Sequence, residues 1–100
     1  MKNFEIIKDG NNITLTVSGR LDTLTASHLD SETQNLLTSP EQKLTIDLTG
    51  LGYTSSSGLR CFVSLFNQAK AAGAEFKMTG VQPAVREIFD ITCVSKIFGL

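Results

Sequence analysis

The chain has 100 residues and a mass of 10.8 kDa, the size of one domain that can build its own hydrophobic core. Hydrophobic residues make up 41% and charged residues 19%, an ordinary composition for a globular domain. Nine basic and ten acidic side chains give a formal net charge of −1 without any run of Lys or Arg, so the sequence lacks the electrostatic signature of a nucleic-acid or anionic-membrane binder. We therefore expect a single domain over residues 1–100.

The sequence contains few cysteine and histidine residues, and it contains no segment long enough and apolar enough to span a membrane. Cys61 and Cys93 are too few for a disulfide framework or a zinc site by themselves, and His28 is the single histidine. No apolar stretch approaches the roughly 20 residues of a membrane span, and the first five residues lack the core of a signal peptide. We expect a cytoplasmic domain with reduced, packed thiols and with no metal or cofactor.

The N-terminal segment predicts a hairpin of two strands. Phe4, Ile6 and Lys8 point the same way in a short first strand. Apolar residues alternate with polar ones over residues 13–17, which is the period of a strand with one buried face. Residues 9–12, Asp-Gly-Asn-Asn, lie between these two stretches, and Gly and Asn favour a tight turn because they tolerate positive φ.

After the hairpin, helical and strand patterns alternate along the chain. The predicted elements are a helix over about 23–37, a strand over 44–48, a helix over 59–69, a strand over 74–78 and a helix that begins at Pro83. Asp22 or Thr23 offers an N-cap oxygen to the first helix, and Gly73 lies where a C-cap glycine belongs. The chain therefore reads as an α/β domain.

The strand pattern also predicts the sheet topology. Thr, Ser, Asp, Glu and Lys occupy the second face of each strand, so one face of the sheet should be open to water and the helices should cover the other. Strand–helix–strand crossovers are right-handed, so each one must step the sheet in the same direction. We predict a single mixed sheet of about four strands in the order 1-2-3-4, with strand 1 antiparallel and with room for a short fifth strand.

Three loops are expected at the edge of the sheet where the parallel strands end, which is where such sheets usually carry their function. They are residues 19–23, 50–57 and 79–82. The second loop is unusual because four hydroxyl residues, Thr54, Ser55, Ser56 and Ser57, precede Gly58 and a helix.

The hydroxyl run has three interpretations. One hydroxyl is expected to cap the helix, but capping needs only one of the four. The second interpretation is a phosphate site, since a helix N-terminus attracts anions and a hydroxyl there can be phosphorylated. The third interpretation is a nucleophile elbow with Ser56 as the nucleophile. It would need His28 as the general base, and a surface histidine on the polar side of the first helix is the simpler explanation of that residue.

Three segments of the chain resemble the STAS domain family of anti-sigma factor antagonists. Residues 46–59, from Ile-Asp-Leu-Thr-Gly to Ser-Ser-Ser-Gly-Leu, resemble the signature segment of the family. Residues 17–22 are similar to its strand-end motif, and residues 81–89 with 96–98 are similar to its closing helix and tail. Together the three segments extend the resemblance over essentially the whole chain.

The resemblance implies a bacterial partner-switching protein that is not an enzyme. In that family an anti-sigma factor that is also a serine kinase phosphorylates a Ser or Thr in an Asp-Ser/Thr-Ser-Gly pattern, the unphosphorylated form binds the kinase, and a phosphatase resets the switch. The phosphoacceptor position falls on Ser56, with Ser57 and Gly58 after it. Ser55 stands where the family has Asp, so it can donate and accept hydrogen bonds but brings no charge.

The resemblance and the loop pattern together give a candidate partner-binding surface. Its predicted members are Arg20, Asp22, Thr23, Tyr53, Ser55, Ser57, Gly58 and Arg60. For Asp22 and Arg20 the competing explanation is that the first caps a helix and the second is simply solvated. Arg60 lies in the first turn of the helix, where it either contacts a phosphate on Ser56 or is an exposed cation without a role.

Two other functional classes stay open. A STAS accessory subunit of another assembly, such as a lipid-transport complex, would bind without switching, and Ser55 in place of Asp favours it. A small nucleotide-binding module is the other class, although residues 50–52, Gly-Leu-Gly, lack the spacing and the Lys of a phosphate-binding loop.

Overall fold

The computed structural model describes residues 3–100. Met1 and Lys2, which belong to the N-terminal segment without a signal-peptide core, lie outside the described residues. The elements in chain order are β1 (Phe4–Asp9), β2 (Asn12–Val17), β3 (Gly19–Leu21), α1 (Thr23–Glu32), β4 (Lys43–Asp47), β5 (Leu51–Thr54), α2 (Ser56–Ala72), β6 (Glu75–Thr79) and α3 (Pro83–Ile91). No helix within residues 3–100 is both long and apolar enough to cross a bilayer.

The main sheet has the predicted topology. Its four strands follow the order β1-β2-β4-β6, with β1 antiparallel to β2 and the other two neighbouring pairs parallel. The register aligns Leu15 of β2 with Ile46 of β4, and Ile46 with Met78 of β6. The expected order 1-2-3-4 for the four main strands is therefore confirmed.

The core lies on one face of this sheet. Along β2 and β4 the buried residues are Ile13, Leu15, Val17, Leu44 and Ile46, whereas the alternate positions are partly or largely exposed. Phe62 and Leu65 of α2 and Phe89 of α3 belong to the same core cluster and have no exposed surface. Burying apolar area at about 25 cal/mol per Å² is what holds the helices against this face.

Two short strands lie in segments that were predicted as loops, and they form a second sheet, whereas a single sheet with room for one short fifth strand was predicted. β3 and β5 pair in parallel as a separate two-stranded sheet, with Arg20 opposite Tyr53 and Leu21 opposite Thr54. Strands of three and four residues are too short to show a period of two, and the register shifts next to Gly19, whose φ is +72°. Glycine adopts that left-handed conformation without strain.

The first helix ends five residues earlier than predicted, at Glu32 instead of Leu37. The Thr33 hydroxyl donates to the Leu29 carbonyl oxygen at 2.8 Å, and Asn35 has a left-handed φ of +56°. Both features are typical of a helix that is ending. Leu37 is still buried, so its apolar character reflects core packing in an irregular segment.

The C-terminal part follows the predicted pattern more closely. Gly73 closes α2 with φ +72°, and α3 begins at Pro83 as expected. After α3 the chain folds back so that the Phe98 ring lies 5.7 Å from the Phe76 ring and 5.5 Å from the Phe89 ring, centroid to centroid. These contacts anchor the tail on the body of the domain.

Candidate functional site at the start of the second helix

The small β3–β5 sheet brings the starts of two helices side by side. The Ser55 N–H donates to the Leu21 carbonyl oxygen at 2.8 Å. Asp22 follows Leu21 as the N-cap of α1, and Ser55 is the N-cap of α2. The predicted loops at 19–23 and 50–57 are therefore adjacent, although they are partly strands.

The third predicted loop, residues 79–82, contacts an earlier part of the same edge. The Gln82 side-chain amide donates to the Thr49 carbonyl oxygen. A Cβ on Gly80 would lie 2.8 Å from the Thr49 nitrogen, so the two loops touch there without room for a side chain. This loop supports the connection between β4 and β5.

The four hydroxyl residues at the start of α2 occupy four different environments. The Ser55 Oγ accepts from the Gly58 N–H at 3.2 Å, which confirms that one hydroxyl of the run caps the helix. Thr54 is only 2% exposed and donates to the Ser55 carbonyl oxygen at 3.2 Å. Ser57 is half-buried, and Ser56 is exposed as the first residue of α2.

The Ser56 side chain therefore faces solvent at the positive end of a helix dipole. Among residues 3–100 the Ser56 hydroxyl makes no hydrogen bond. Each of the other three hydroxyls of the run is either hydrogen-bonded or partly buried. Ser56 is the hydroxyl of the run that another molecule can reach most easily.

Gly58 is required by packing. A Cβ at this position would overlap the Thr54 hydroxyl and would lie 2.7 Å from Leu21 Cδ2. The first turn of α2 can therefore lie close to β3 only because residue 58 has no side chain.

A groove of about 380 Å³ lies between α1 and α2, and Ser57, the residue after Ser56, is part of its lining. Its rim includes Thr23, Ser27, Asp30, Ser57, Arg60 and Ser64. Cys61 lies at its floor and donates through Sγ to the Ala26 carbonyl oxygen at 3.1 Å. Burial, together with the Asp30 charge, raises the pKa of the Cys61 thiol to about 11. The thiol is therefore protonated at neutral pH, as expected for a packing residue.

Arg20 and Tyr53 form one contact on the solvent side of the small sheet. The guanidinium carbon of Arg20 lies 4.4 Å from the centroid of the Tyr53 ring, a cation–π distance. Asp22 accepts from the Thr25 N–H at 2.9 Å, and this hydrogen bond holds the pKa of the Asp22 carboxyl below its usual range, with a smaller contribution from the Arg20 charge. The capping role expected for Asp22 is thus confirmed.

Arg60 and His28 were also considered in the sequence analysis, and they lie on different helices. Arg60 is exposed one turn after Ser56, so the two side chains share one face of α2. His28 is exposed on α1, and no hydrogen bond joins it to Ser56 in the described part of the chain.

Leu24, the second residue of α1, is an exposed apolar residue that was not among the predicted site residues. Its side chain is 71% exposed, whereas α1 buries Ala26 and Leu29. The available signal was a leucine outside the apolar stripe of the helix and directly after a predicted cap.

Comparison with known proteins assigns the chain to a family. The STAS domain model matches residues 3–100, so the chain belongs to the STAS domain family. Over 93 residues it is 29% identical to the anti-sigma-B factor antagonist of Listeria monocytogenes, which covers 93% of this chain and 82% of that protein. Over 100 residues it is 28% identical to the anti-sigma-B factor antagonist of Bacillus subtilis, covering 98% of this chain and 89% of that protein.

Solved structures have the same fold. An anti-sigma factor antagonist from Mycobacterium paratuberculosis aligns with a TM-score of 0.78 at 23% identity, over 95% of this chain and 80% of that one. The unphosphorylated form of the anti-sigma factor antagonist SpoIIAA aligns with a TM-score of 0.76 at 13% identity, over 97% of each chain. The named relatives are thus regulators of the antagonist class, and the predicted STAS-like architecture is confirmed.

Proposed function

We propose that this protein is a partner-switching anti-sigma factor antagonist. Its unphosphorylated form binds an anti-sigma factor that is also a serine kinase, and phosphorylation of Ser56 releases that partner. The observation that carries the proposal is the exposed hydroxyl of Ser56 at the first position of α2. The similarity to named anti-sigma factor antagonists supports the same class of partner.

The environments of the neighbouring hydroxyls favour Ser56 as the phosphoacceptor. Thr54 is buried, and the Ser55 oxygen accepts a backbone hydrogen bond that holds the helix start. Ser57 is half-buried beside the groove. A kinase active site must surround the acceptor oxygen, and Ser56 offers that access without any rearrangement of the helix.

A phosphate on Ser56 is compatible with the fold. It adds about −1.5 to −2 charges at the positive end of a helix dipole, an interaction worth roughly 0.3–1 kcal/mol in the favourable direction at an exposed site. Arg60 lies on the same face one turn away and carries the opposite charge. The modified protein therefore stays folded, and what changes is its surface.

The release follows from electrostatics at the interface. Shifting a bound-to-free ratio from 99:1 to 1:99 takes about 5.5 kcal/mol. A doubly charged group that must be desolvated against a surface fitted to a neutral hydroxyl supplies several kcal/mol of this. The switch works by blocking the interface, and no conformational relay through the domain is required.

Ser55 replaces the carboxylate that the family pattern carries before the phosphoacceptor. Its oxygen caps α2 through the Gly58 N–H, so it fixes the helix start without adding charge. We infer that Ser55 positions Ser56 and that the negative charge of the switch comes from the phosphate alone.

The test is a phosphorylation assay with the anti-sigma serine kinases of the source organism, purified and supplied with ATP. Peptide mapping of the product is expected to place one phosphoryl group on Ser56. Ser56→Ala abolishes the modification, and Ser57→Ala, the matched control in the same turn, keeps it. A matching phosphatase is then expected to remove the group.

Two results would contradict the proposal in different ways. Modification of Ser57 or Thr54 with Ser56 untouched would move the switch to another residue. Stable binding to a kinase or to another protein with no modification at all would favour the non-switching accessory subunit.

A further inference from the structure

The main sheet has two edge strands, β1 and β6, and the outer edge of β6 is open. β6 pairs in parallel with β4, and no other segment within residues 3–100 is hydrogen-bonded to its backbone along the outer edge. The Glu75 N–H donates to the Gln42 carbonyl oxygen at 3.1 Å, so Glu75 faces the β4 side. Because backbone groups alternate in direction along a strand, the N–H and C=O groups of Phe76 and Met78 point to the free edge. An unpaired row of this kind can pair with another strand.

The two charged residues of β6 lie on the open face of the sheet. Glu75 and Lys77 are exposed, whereas Phe76 and Met78 pack on the face that the helices cover. Lys43 of β4 lies opposite Glu75, with its Nζ 3.9 Å from the carboxylate. Lys77 makes no ion pair in the part of the chain that the structure describes. The edge strand therefore carries an acid and an unpaired cation two positions apart.

These two charges make β6 complementary to a second copy of itself. In an antiparallel pair the free groups of Phe76 and Met78 must meet free groups of the other strand, which limits the register. With Phe76 opposite Phe76, Glu75 of each copy lies opposite Lys77 of the other. With Phe76 opposite Met78, the two Lys77 side chains oppose each other. Opposite charges in directly opposed positions stabilise paired strands and like charges destabilise them, so the charges select the register centred on Phe76.

The other edge strand, β1, lacks this complementarity. Phe4 and Ile6 pack on the core side of the sheet, so Glu5 and Asp9 lie on the open face. Both residues are acidic. Antiparallel pairing of β1 with a second β1 would bring these acids together or leave them without a cation opposite. Lysine on an edge strand commonly prevents strand pairing, but in β6 an acid two positions away offsets its charge.

We propose that two copies of this chain form a twofold dimer through antiparallel pairing of β6. At the centre, Phe76 of each copy exchanges both backbone hydrogen bonds with Phe76 of the other. On either side, Glu75 lies between Lys43 of its own chain and Lys77 of the second copy. The two main sheets become one continuous sheet with the helices of both copies on the same face. The twofold axis closes the interface, so assembly stops at the dimer.

The dimer is independent of the proposed switch. The pairing uses neither the β3–β5 sheet nor the first turn of α2, so each dimer carries two copies of the Ser56 surface. The inference therefore does not rest on the proposed function.

The test is sedimentation equilibrium of the full chain at protein concentrations from about 1 µM to 1 mM, a range that covers the affinities of small interfaces. The wild-type chain is expected to change from monomer to dimer across this range. Lys77→Glu sets acid against acid on both sides of the centre and is expected to weaken the dimer at least about tenfold. Lys8→Glu is the matched control, since it makes the same charge change at an exposed position of the other edge strand, and its dimer affinity should stay within about twofold of wild type.

A mixture of two variants tests the register. Glu75→Lys leaves two cations on the strand and Lys77→Glu leaves two acids, so neither variant is expected to pair with itself. In the mixture a cation lies opposite an acid at both positions. We expect a heterodimer at least about tenfold tighter than either homodimer. Melting curves check that the variants are folded, because Glu75→Lys also removes the ion pair with Lys43.

The outcomes separate pairing through β6 from other assemblies. Dissociation of the dimer by Lys77→Glu, together with the heterodimer in the mixture, supports the proposal. A wild-type chain that is still monomeric at about 1 mM would overturn it. A dimer that Lys77→Glu leaves intact, a dimer that Lys8→Glu dissociates, or growth beyond the dimer would place the contact elsewhere and overturn it as well. Folded variants that form no heterodimer would also contradict it. The phosphorylation assay tests the proposed function separately.

Discussion

The two ends of α2 have different roles within one helix. Its first turn carries exposed or half-exposed hydroxyls, a capping serine and Arg60. Its C-terminal half packs Phe66 against Phe76 at 5.4 Å and against Phe98 at 6.3 Å, centroid to centroid. The first turn makes hydrogen bonds to its own backbone, and the later turns make the apolar contacts that hold the domain together.

This difference shows how a helix can expose a hydroxyl at its first position while its later turns hold the core. The free energy of unfolding depends on the buried face of α2, whereas the proposed switch depends on Ser56, which is exposed. Substitution of Ser56 and substitutions on the buried face should therefore change different measurements. The following predictions test that separation, from the largest expected change in stability to the smallest.

Phe62→Ala should have the largest effect on stability. Phe62 has no exposed surface and packs edge-on against Phe89 at 6.3 Å. Truncation of such a ring removes buried apolar area and leaves a cavity, so we expect a loss of about 3–5 kcal/mol in the free energy of unfolding. Urea denaturation measures it, with the exposed Ser64→Ala as the control from the same helix. A loss below about 1 kcal/mol would contradict the assignment of this helix face to the core.

Gly58→Ala should have the next largest effect on stability, although Gly58 lies in the first turn of α2, close to the candidate phosphoacceptor. The added Cβ would meet the Thr54 hydroxyl and Leu21 Cδ2, so β3 and α2 must move apart. We expect a loss of about 1–3 kcal/mol, typical of overpacking. Gly52→Ala is the matched control, since the nearest atom to its Cβ would be 3.8 Å away. Equal stability of the two variants in thermal denaturation would contradict the close packing of the helix start.

Ser55→Ala and Ser56→Ala compare the effects on stability of removing a capping hydroxyl and an exposed hydroxyl from adjacent residues. Removal of the Ser55 oxygen leaves the Gly58 N–H without its acceptor, which costs about 1 kcal/mol at a typical N-cap. Ser56→Ala should leave the stability within about 0.5 kcal/mol of wild type, as surface substitutions usually do. The reverse order of the two effects in chemical denaturation would exchange the roles assigned to the two serines.

The Cys61 thiol gives an effect that is absent at neutral pH and appears only in alkaline solution. Its pKa is raised to about 11 in the folded protein, whereas the thiol of an unfolded chain ionises near its ordinary value of 9.0. Between these values the Cys61 thiol loses its proton first in the unfolded state. The contribution of this thiol to the free energy of unfolding is therefore fully present below about pH 9 and is lost as the pH rises towards 11. Denaturation curves of Cys61→Ala should lack this part of the decline, and those of Cys93→Ala, which removes an exposed thiol, should keep it. An identical decline in both variants would exclude Cys61 as its source.

Much of the fold could be predicted because the main strands are long enough to show their period. Residues 13–17 and 44–48 alternate clearly, and polar residues on their second face correctly indicated a sheet covered on one side. The short strands around Arg20 and Tyr53 could not be predicted, because their pairing depends on tertiary contacts. The end of α1 was missed because Leu37 continues the helical period while Thr33 and Asn35 end the helix.

At the candidate site the run of hydroxyl residues could be recognised in the sequence, whereas the environment of each hydroxyl could not be predicted. Four consecutive hydroxyls exceed what a cap requires, and this excess identified the helix start as a surface of interest. Which hydroxyl caps and which is exposed depends on the N-cap position, and the sequence left that position open between neighbouring residues.

The most direct test of the central claim is a calorimetric titration of the kinase partner against unphosphorylated protein and against protein phosphorylated on Ser56. We expect tight binding to the first form and an affinity at least about a hundredfold lower for the second, a difference of about 2.7 kcal/mol. Both forms should show the same melting temperature within about 2 °C, since the phosphate changes the surface and not the core. Equal affinities for the two forms would contradict the account.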